Sequence, residues 1–214
     1  ETVDGTGFVT EAAWEKLEVK QQLFGQIEPL VDRQTILASN SSSFPITHTA
    51  CDLAHPERAV VTHWFNPPHV IPVVEVVGGE RTSDATVKTA LATLEAIGKT
   101  AVRIDKELAG FLVNRVQVAM FREVFDLLDR GVATASEIDR AIRGSMGLRL
   151  AALGPLAIID HAGWDISSAT FTNLVPDMRG DTEVPGCIRE MIESGNLGTK
   201  SGQGVYSYPP ETID

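Results

Sequence analysis

Along the first hundred positions, short apolar runs alternate with stretches whose apolar residues recur at helical spacing. Phe8-Val9-Thr10 reads as the end of a strand. Trp14, Leu17, Leu23, Phe24, Ile27 and Leu30 then follow at close to a 3.6-residue period, which predicts a helix over 14–30 that Pro29 brings to its close. The β-branched and apolar runs at 35–39, 59–65, 70–77 and 100–104 predict strands, with a helix over 83–97 before the last of them. Gly78-Gly79 and Gly98-Lys99 mark turns between these elements. Strands alternating with helices in this way are expected to give βαβ units and a largely parallel sheet.

Past Asp105 the rhythm changes to long helical segments, over 106–130, 135–145, 156–173 and 184–193, with glycine and proline between them. Thr134 followed three positions later by Glu137 fits a capping box. The pattern predicts two domains, 1–104 of α/β type and 105–214 helical, with the boundary near Ile104.

Composition narrows the possible partners. The chain has 214 residues, enough to bury a core without metal or disulfide staples. A net charge of −11 repels nucleic acid and anionic membrane surfaces, so neither is expected as a partner. Cys51 and Cys187 stand far apart and outside any metal-binding spacing, so no metal and no disulfide is expected. No apolar run reaches the ~18 residues of a membrane span, and Glu1-Thr2-Val3-Asp4 lacks the layout of a signal peptide. A reduced, cytoplasmic protein is the expectation. Gly5-Thr6-Gly7 has Thr10 where a dinucleotide fingerprint needs its third glycine and no strand before it, so it reads as an ordinary loop.

Four places concentrate polar groups of chemical interest. Ser39-Asn40-Ser41-Ser42-Ser43 follows the apolar run Ile36-Leu37-Ala38, and ligands of open α/β sheets sit outside the carboxyl ends of strands. A serine-rich turn capping a helix is the plainer reading of the same residues. His63 and Asn66 leave another apolar run just before Pro67-Pro68. Glu75 stands among valines, where a buried carboxylate without a partner would cost several kcal/mol. If the Pro67-Pro68 turn folds the two strands together, His63 and Glu75 meet as a general base and its orienting carboxylate. A core histidine and a solvated glutamate fit the local pattern equally well. Asn114 lies in the apolar stretch Gly110-Phe111-Leu112-Val113-Asn114-Arg115, and Lys200 stands among the glycines of 197–206, which suit either close ligand approach or a simple turn.

Together these groups resemble the signature set of the L-3-hydroxyacyl-CoA dehydrogenase family, in its order and near its spacing. The family's Ser-Asn-Thr-Ser-Ser is similar to residues 39–43, and its His-Phe-Phe-Asn-Pro to His63-Trp64-Phe65-Asn66-Pro67. Its Val-Glu-Val is similar to Val74-Glu75-Val76, and its Gly-Phe-Ile-Val-Asn-Arg to residues 110–115, while Lys200-Ser201-Gly202-Gln203-Gly204-Val205-Tyr206 matches its tail. The resemblance covers nearly the whole chain. It implies an α/β fold: the C-terminal part of a Rossmann-type NAD-binding domain, followed by an all-helical substrate and dimerisation domain.

The resemblance further implies oxidation of the 3-hydroxyl of an L-3-hydroxyacyl-CoA to the 3-ketoacyl-CoA with NAD, as in fatty-acid β-oxidation. His63 would act as base and Glu75 as its partner, with Ser42 and Asn114 on the reacting oxygen or thioester and Asn66 on the acyl-CoA. Glu15, Lys20, Ser42 and Lys200 would touch the cofactor, and the protein would form a homodimer. The family's glycine fingerprint and ribose-reading acidic residue have no counterpart here, so the 214-residue chain by itself is expected to bind NAD poorly, and the choice between NAD and NADP is not readable. The stretch from Met146 to Pro155 is longer than the family's usual link and is similar to the lambda-crystallin and L-gulonate dehydrogenase branch, where Arg149 would meet a free carboxylate. A small hydroxy-acid substrate is therefore the second reading, and a catalytically silent structural domain the third.

Overall fold

The computed structural model describes residues 5–209, and the polar start Glu1-Thr2-Val3-Asp4 lies outside them. The chain forms two compact units, Glu1–Val116 and Gln117–Asp214. The first holds a sheet of five strands in the order β1-β2-β3-β4-β5: Phe8–Glu11, Ile36–Ser39, Ala59–Trp64, Val73–Val77 and Thr100–Ile104. All neighbours pair in parallel except β3 and β4, which run antiparallel across the tight Pro67-Pro68 connection.

Side chains alternate across this sheet, so each strand feeds two cores. Leu37, Val61 and Val77 point to the face covered by Phe24 of α1 (Leu17–Ile27) and by Ile46 and Ala50 of the short α2 (Ile46–Thr49) and its end. Ile36, Ala38, Val60, Val74 and Val76 point to the other face, against Val87, Ala90 and Leu94 of α3 (Asp84–Ala96). Each such valine, leucine, isoleucine or phenylalanine side chain taken out of water stabilises the fold by ~1.5–3 kcal/mol. Ser83 starts α3 by accepting the N–H of Thr86 at 3.1 Å.

Several elements are shorter than their apolar pattern predicts. The first helix starts at Leu17 rather than Trp14 because Glu15 is drawn across to the serine loop, and it tightens into a 3-10 turn at Glu28–Leu30 around Pro29. The strand expected from 70 begins at Val73, after a turn in which Val70 and Ile71 donate to the Pro67 carbonyl. The helix expected over 106–130 is α4, Val113–Asp129, because Gly110 and Phe111 both take positive φ just before it, 74° and 48°.

The second unit is helical. It carries most of α4, then α5 (Ala135–Ile142), α6 (Leu148–Ala152), α7 (Pro155–Ala162), α8 (Trp164–Leu174) and α9 (Gly186–Glu193). A π-helical turn at Arg143–Gly147 joins α5 to α6. The single helix predicted over 156–173 is two, broken at Gly163, whose φ of 98° suits only glycine. Thr134 caps α5 by accepting the Glu137 N–H, and the Asp129 carboxylate takes the N–H groups of Gly186 and Cys187, both at 2.9 Å, at the start of α9. No helix among the described residues is long and apolar enough by itself to cross a membrane.

Candidate active site

The antiparallel register of β3 and β4 sets His63 directly opposite Glu75, on the sheet face that also carries Val61 and Val77. The His63 Nδ1 lies 2.7 Å from Glu75 Oε2, and both residues are buried. The second carboxylate oxygen, Oε1, accepts the backbone N–H groups of Val113 at 2.9 Å and Leu112 at 3.1 Å. Glu75 thus joins two strands to the first turn of α4, where unpaired N–H groups favour an anion.

Burial pushes the Glu75 carboxyl upward, but the His63 hydrogen bond and the Val113 and Leu112 N–H groups outweigh it and hold it below the ordinary carboxylate range. An ionised Glu75 accepts a proton-bearing Nδ1 from His63. The histidine's remaining ring nitrogen, Nε2, then carries a lone pair and can take a proton. Two aromatic rings fix the imidazole plane: Phe65 meets it edge-on at 4.6 Å between centroids, and Phe111 lies at 5.5 Å. Phe111 is buried in a left-handed backbone conformation that costs ~1–3 kcal/mol. That conformation turns the chain into α4 with its first N–H groups on Glu75.

A second cluster forms at the ends of β1 and β2. Glu15 Oε1 accepts from Ser41 Oγ at 2.7 Å, from the N–H of Ser42 at 2.9 Å and of Ser43 at 3.0 Å, and from Ser43 Oγ at 2.8 Å. The Ser42 hydroxyl also points to it, at 3.4 Å. Burial alone would raise the Glu15 carboxyl, yet the Ser41, Ser43 and Lys20 contacts lower it to about 2. The other oxygen, Oε2, lies 3.2 Å from Lys20 Nζ, and Lys20 also bonds the buried Glu11 at 2.9 Å.

Beside these clusters opens a cleft of about 470 Å³ lined by Thr10, Asn40, Trp64, Phe65, Asn66 and Pro68. It sits at the carboxyl ends of β1, β2 and β3, which are parallel to one another, the usual ligand position of such sheets. Asn40 Oδ1 accepts the Trp64 N–H at 2.9 Å and ties two of those strand ends together. Apolar walls with two side-chain amides fit the planar, amide-bearing end of a nicotinamide cofactor.

Of the residues singled out by sequence, His63 and Glu75 meet, Asn66 lines the cleft, and Glu15, Lys20 and Ser42 form one network. The Ser42 backbone N–H is held by Glu15 at 2.9 Å while its partly exposed hydroxyl stands 3.4 Å from the same oxygen, and Lys20 is enclosed by carboxylates. Asn114 stands half-buried in the first turn of α4, one residue beyond the Val113 N–H held by Glu75. Lys200 belongs to the second unit, in the turn Thr199–Ser201. Sequence reasoning missed Glu11 and Phe111, and held Asn40 only as part of the polar run 39–43. The adjacent glycine was the one signal for Phe111.

The description "3-hydroxyacyl-CoA dehydrogenase, NAD binding domain" matches residues 1–108, and "3-hydroxyacyl-CoA dehydrogenase, C-terminal domain" matches residues 110–208. A 5-formyl-3-hydroxy-2-methylpyridine 4-carboxylate 5-dehydrogenase of Mesorhizobium japonicum is 36% identical over 99% of the chain and 68% of its own length. An L-carnitine dehydrogenase of Streptomyces griseus is 40% identical over 76% of the chain, which spans about half of that relative (49%). A probable 3-hydroxybutyryl-CoA dehydrogenase of Bacillus subtilis is 34% identical over 99% of the chain and 73% of its own length. Among solved structures, the NAD-dependent pyridine-carboxylate dehydrogenase superposes with a TM-score of 0.95 at 36% identity, covering 98% of this chain and 68% of that one. An (S)-3-hydroxybutyryl-CoA dehydrogenase of Ralstonia eutropha gives 0.75 at 35% identity, covering 95% and 71%.

Proposed function

The chain belongs to the 3-hydroxyacyl-CoA dehydrogenase family, and on that premise we propose that the protein is an NAD-dependent dehydrogenase in which His63 is the general base and Glu75 its partner. The observation that carries this reading is the buried 2.7 Å contact between His63 Nδ1 and an ionised Glu75. The Nε2 of His63 takes the proton of the substrate hydroxyl as that carbon is oxidised, and Glu75 stabilises the imidazolium that forms. NAD, when bound, supplies the hydride acceptor. The cleft lined by Thr10, Asn40 and Asn66 would hold its nicotinamide end. Ser42 and Asn114 would donate to the reacting oxygen. Lys200 is assigned to the cofactor on the family resemblance alone.

Two substrate classes fit this chemistry. An L-3-hydroxyacyl-CoA, with a place in β-oxidation, is supported by the family itself and by the hydroxybutyryl-CoA dehydrogenase relatives. A small hydroxy compound bearing a free carboxylate is supported by the higher structural similarity to the pyridine-carboxylate dehydrogenase, 0.95 against 0.75. Turnover of the full-length protein with NAD on 3-hydroxybutyryl-CoA, L-carnitine and the pyridine carboxylate separates them. No turnover on any member of either class would leave the silent structural domain as the reading.

The protein is further proposed to be a homodimer. The second unit exposes Leu156 at 68%, Trp164 at 62% and Phe171 at 64%, which is costly for a monomer in water. Light scattering on the full-length protein gives the oligomeric state directly.

A further inference from the structure

We propose that Lys99 is a positioning residue: it fixes the turn between β3 and β4 together with the Trp64 ring, and so holds Asn66 and its side of the cleft in place for the substrate. The inference rests on the dehydrogenase reading above and adds to it a residue outside the cleft's own lining.

Trp64 follows His63 in β3, so its side chain leaves the opposite face of the sheet and packs with the residues under α3. The chain then reverses before β4. It does so in one turn, in which Val70 and Ile71 both donate to the Pro67 carbonyl at 3.0 Å. The next N–H of such a turn would reach the Pro68 carbonyl, but residue 72 is proline and has none. The Lys99 ammonium takes its place. Nζ donates to the Pro68 carbonyl at 2.5 Å and to the Ile71 carbonyl at 3.2 Å, and so closes a turn that cannot close itself.

The same ammonium lies 5.4 Å from the centroid of the Trp64 ring. The indole N–H is buried and has no acceptor among the described residues, so no hydrogen bond of its own orients the ring. The cation over its face and the 2.9 Å bond from the Trp64 backbone N–H to Asn40 do so instead. Lys99 is itself placed by the end of α3, where Gly98 takes a φ of 82° and the Lys99 N–H donates to the Leu94 carbonyl at 3.0 Å. The next residue, Thr100, donates its N–H to the Pro72 carbonyl at 2.9 Å. Carbonyls of Pro68, Ile71 and Pro72 are thus all held from the dipeptide Lys99-Thr100. Trp64, Asn66 and Pro68 line the cleft, so its shape depends on this anchor. The His63–Glu75 contact is made on the opposite face of the sheet and does not.

The test uses the full-length protein, with the substrate that the wild type turns over and saturating NAD. Lys99→Met removes the ammonium and keeps the apolar stem. Lys99→Gln, with a neutral donor, is a second variant should the first not fold. Lys99→Arg keeps a cation that can donate to the carbonyls and lie over the indole. Steady-state kinetics give kcat and KM, and amide exchange reports on the N–H groups of Val70 and Ile71. In Lys99→Met and Lys99→Gln the substrate KM is expected to rise at least tenfold with kcat within threefold of wild type, and the two amides to lose at least tenfold in protection. Lys99→Arg is expected to restore KM to within threefold. An unchanged KM in a folded Lys99→Met or Lys99→Gln protein would reduce the lysine to a stabilising role and overturn the proposal. A tenfold loss of kcat at unchanged KM would overturn it too, by placing Lys99 in the chemical step. If the wild type has no NAD-dependent turnover, the functional reading fails by itself. Amide exchange then still decides the anchor, since protection equal to wild type without the ammonium would refute it.

Discussion

Glu75 and Val113 are joined by a 2.9 Å hydrogen bond from the backbone N–H of the first residue of α4 to the same carboxylate that faces His63. One side chain therefore orients an imidazole and starts a helix. The two tasks are separable by mutation because they fall on different oxygens.

Glu75→Gln keeps a carbonyl for the Val113 and Leu112 N–H groups but puts an amide donor against His63 Nδ1. Nδ1 must then accept, the proton moves to Nε2, and the base is lost. Activity of the full-length protein is expected to fall by ~10²–10⁴ while the melting temperature changes little. Near-normal kcat in this variant would mean that the tautomer is not set by Glu75.

Glu75→Ala loses the helix cap as well. Two backbone N–H groups at the start of α4 are left without the acceptor they have in the native protein. A stability loss of about 2–4 kcal/mol in urea unfolding follows from a lost cap and unsatisfied donors. A loss below about 0.5 kcal/mol would show that water replaces the carboxylate at no cost.

Gly79 follows the end of β4 and lies against α2. A Cβ added there would stand 2.6 Å from Ile46 Cγ2 and 2.9 Å from the backbone nitrogen of Thr47, and backbone cannot swing away. Gly79→Ala is expected to destabilise the protein by about 1–3 kcal/mol, read from the denaturation midpoint. An unchanged midpoint would place α2 further from this turn than the structure has it.

The acid limb reports on Glu15. Its carboxyl is lowered from an ordinary 4.5 to about 2, so its contribution is fully present above about pH 4.5 and is lost as pH falls through 2. The stability gap between wild type and Glu15→Gln should be constant at neutral pH and should close between pH 4.5 and 2. A gap that widens on acidification would have the wrong sign for a carboxylate held by donors.

Much of this was legible in the pattern of residues. All five strands and the helix before the last follow from runs of β-branched residues and helical spacing, because short apolar runs in a sheet covered on both faces have few alternatives. The pairing of His63 with Glu75 needed one fact that spacing does not contain, the antiparallel return of β4 on β3. Where the pattern failed, a tertiary contact had overridden local propensity. The helix expected from 106 gives way to a left-handed turn at Gly110 and Phe111 so that its first N–H groups meet Glu75, and the helix expected from Trp14 begins late so that Glu15 meets the serines. Glu11 escaped notice because its partner is nine residues away in sequence, and nothing local marks a buried ion pair.

The most direct measurement is kcat of the full-length protein carrying His63→Gln, taken with NAD and the substrate that the wild type turns over, alongside NAD affinity and the far-ultraviolet circular dichroism spectrum. If His63 is the general base, kcat falls by ~10²–10⁴ while NAD affinity and the spectrum stay those of the wild type. A His63→Gln protein that folds, binds NAD and turns over within threefold of the wild type would contradict the assignment.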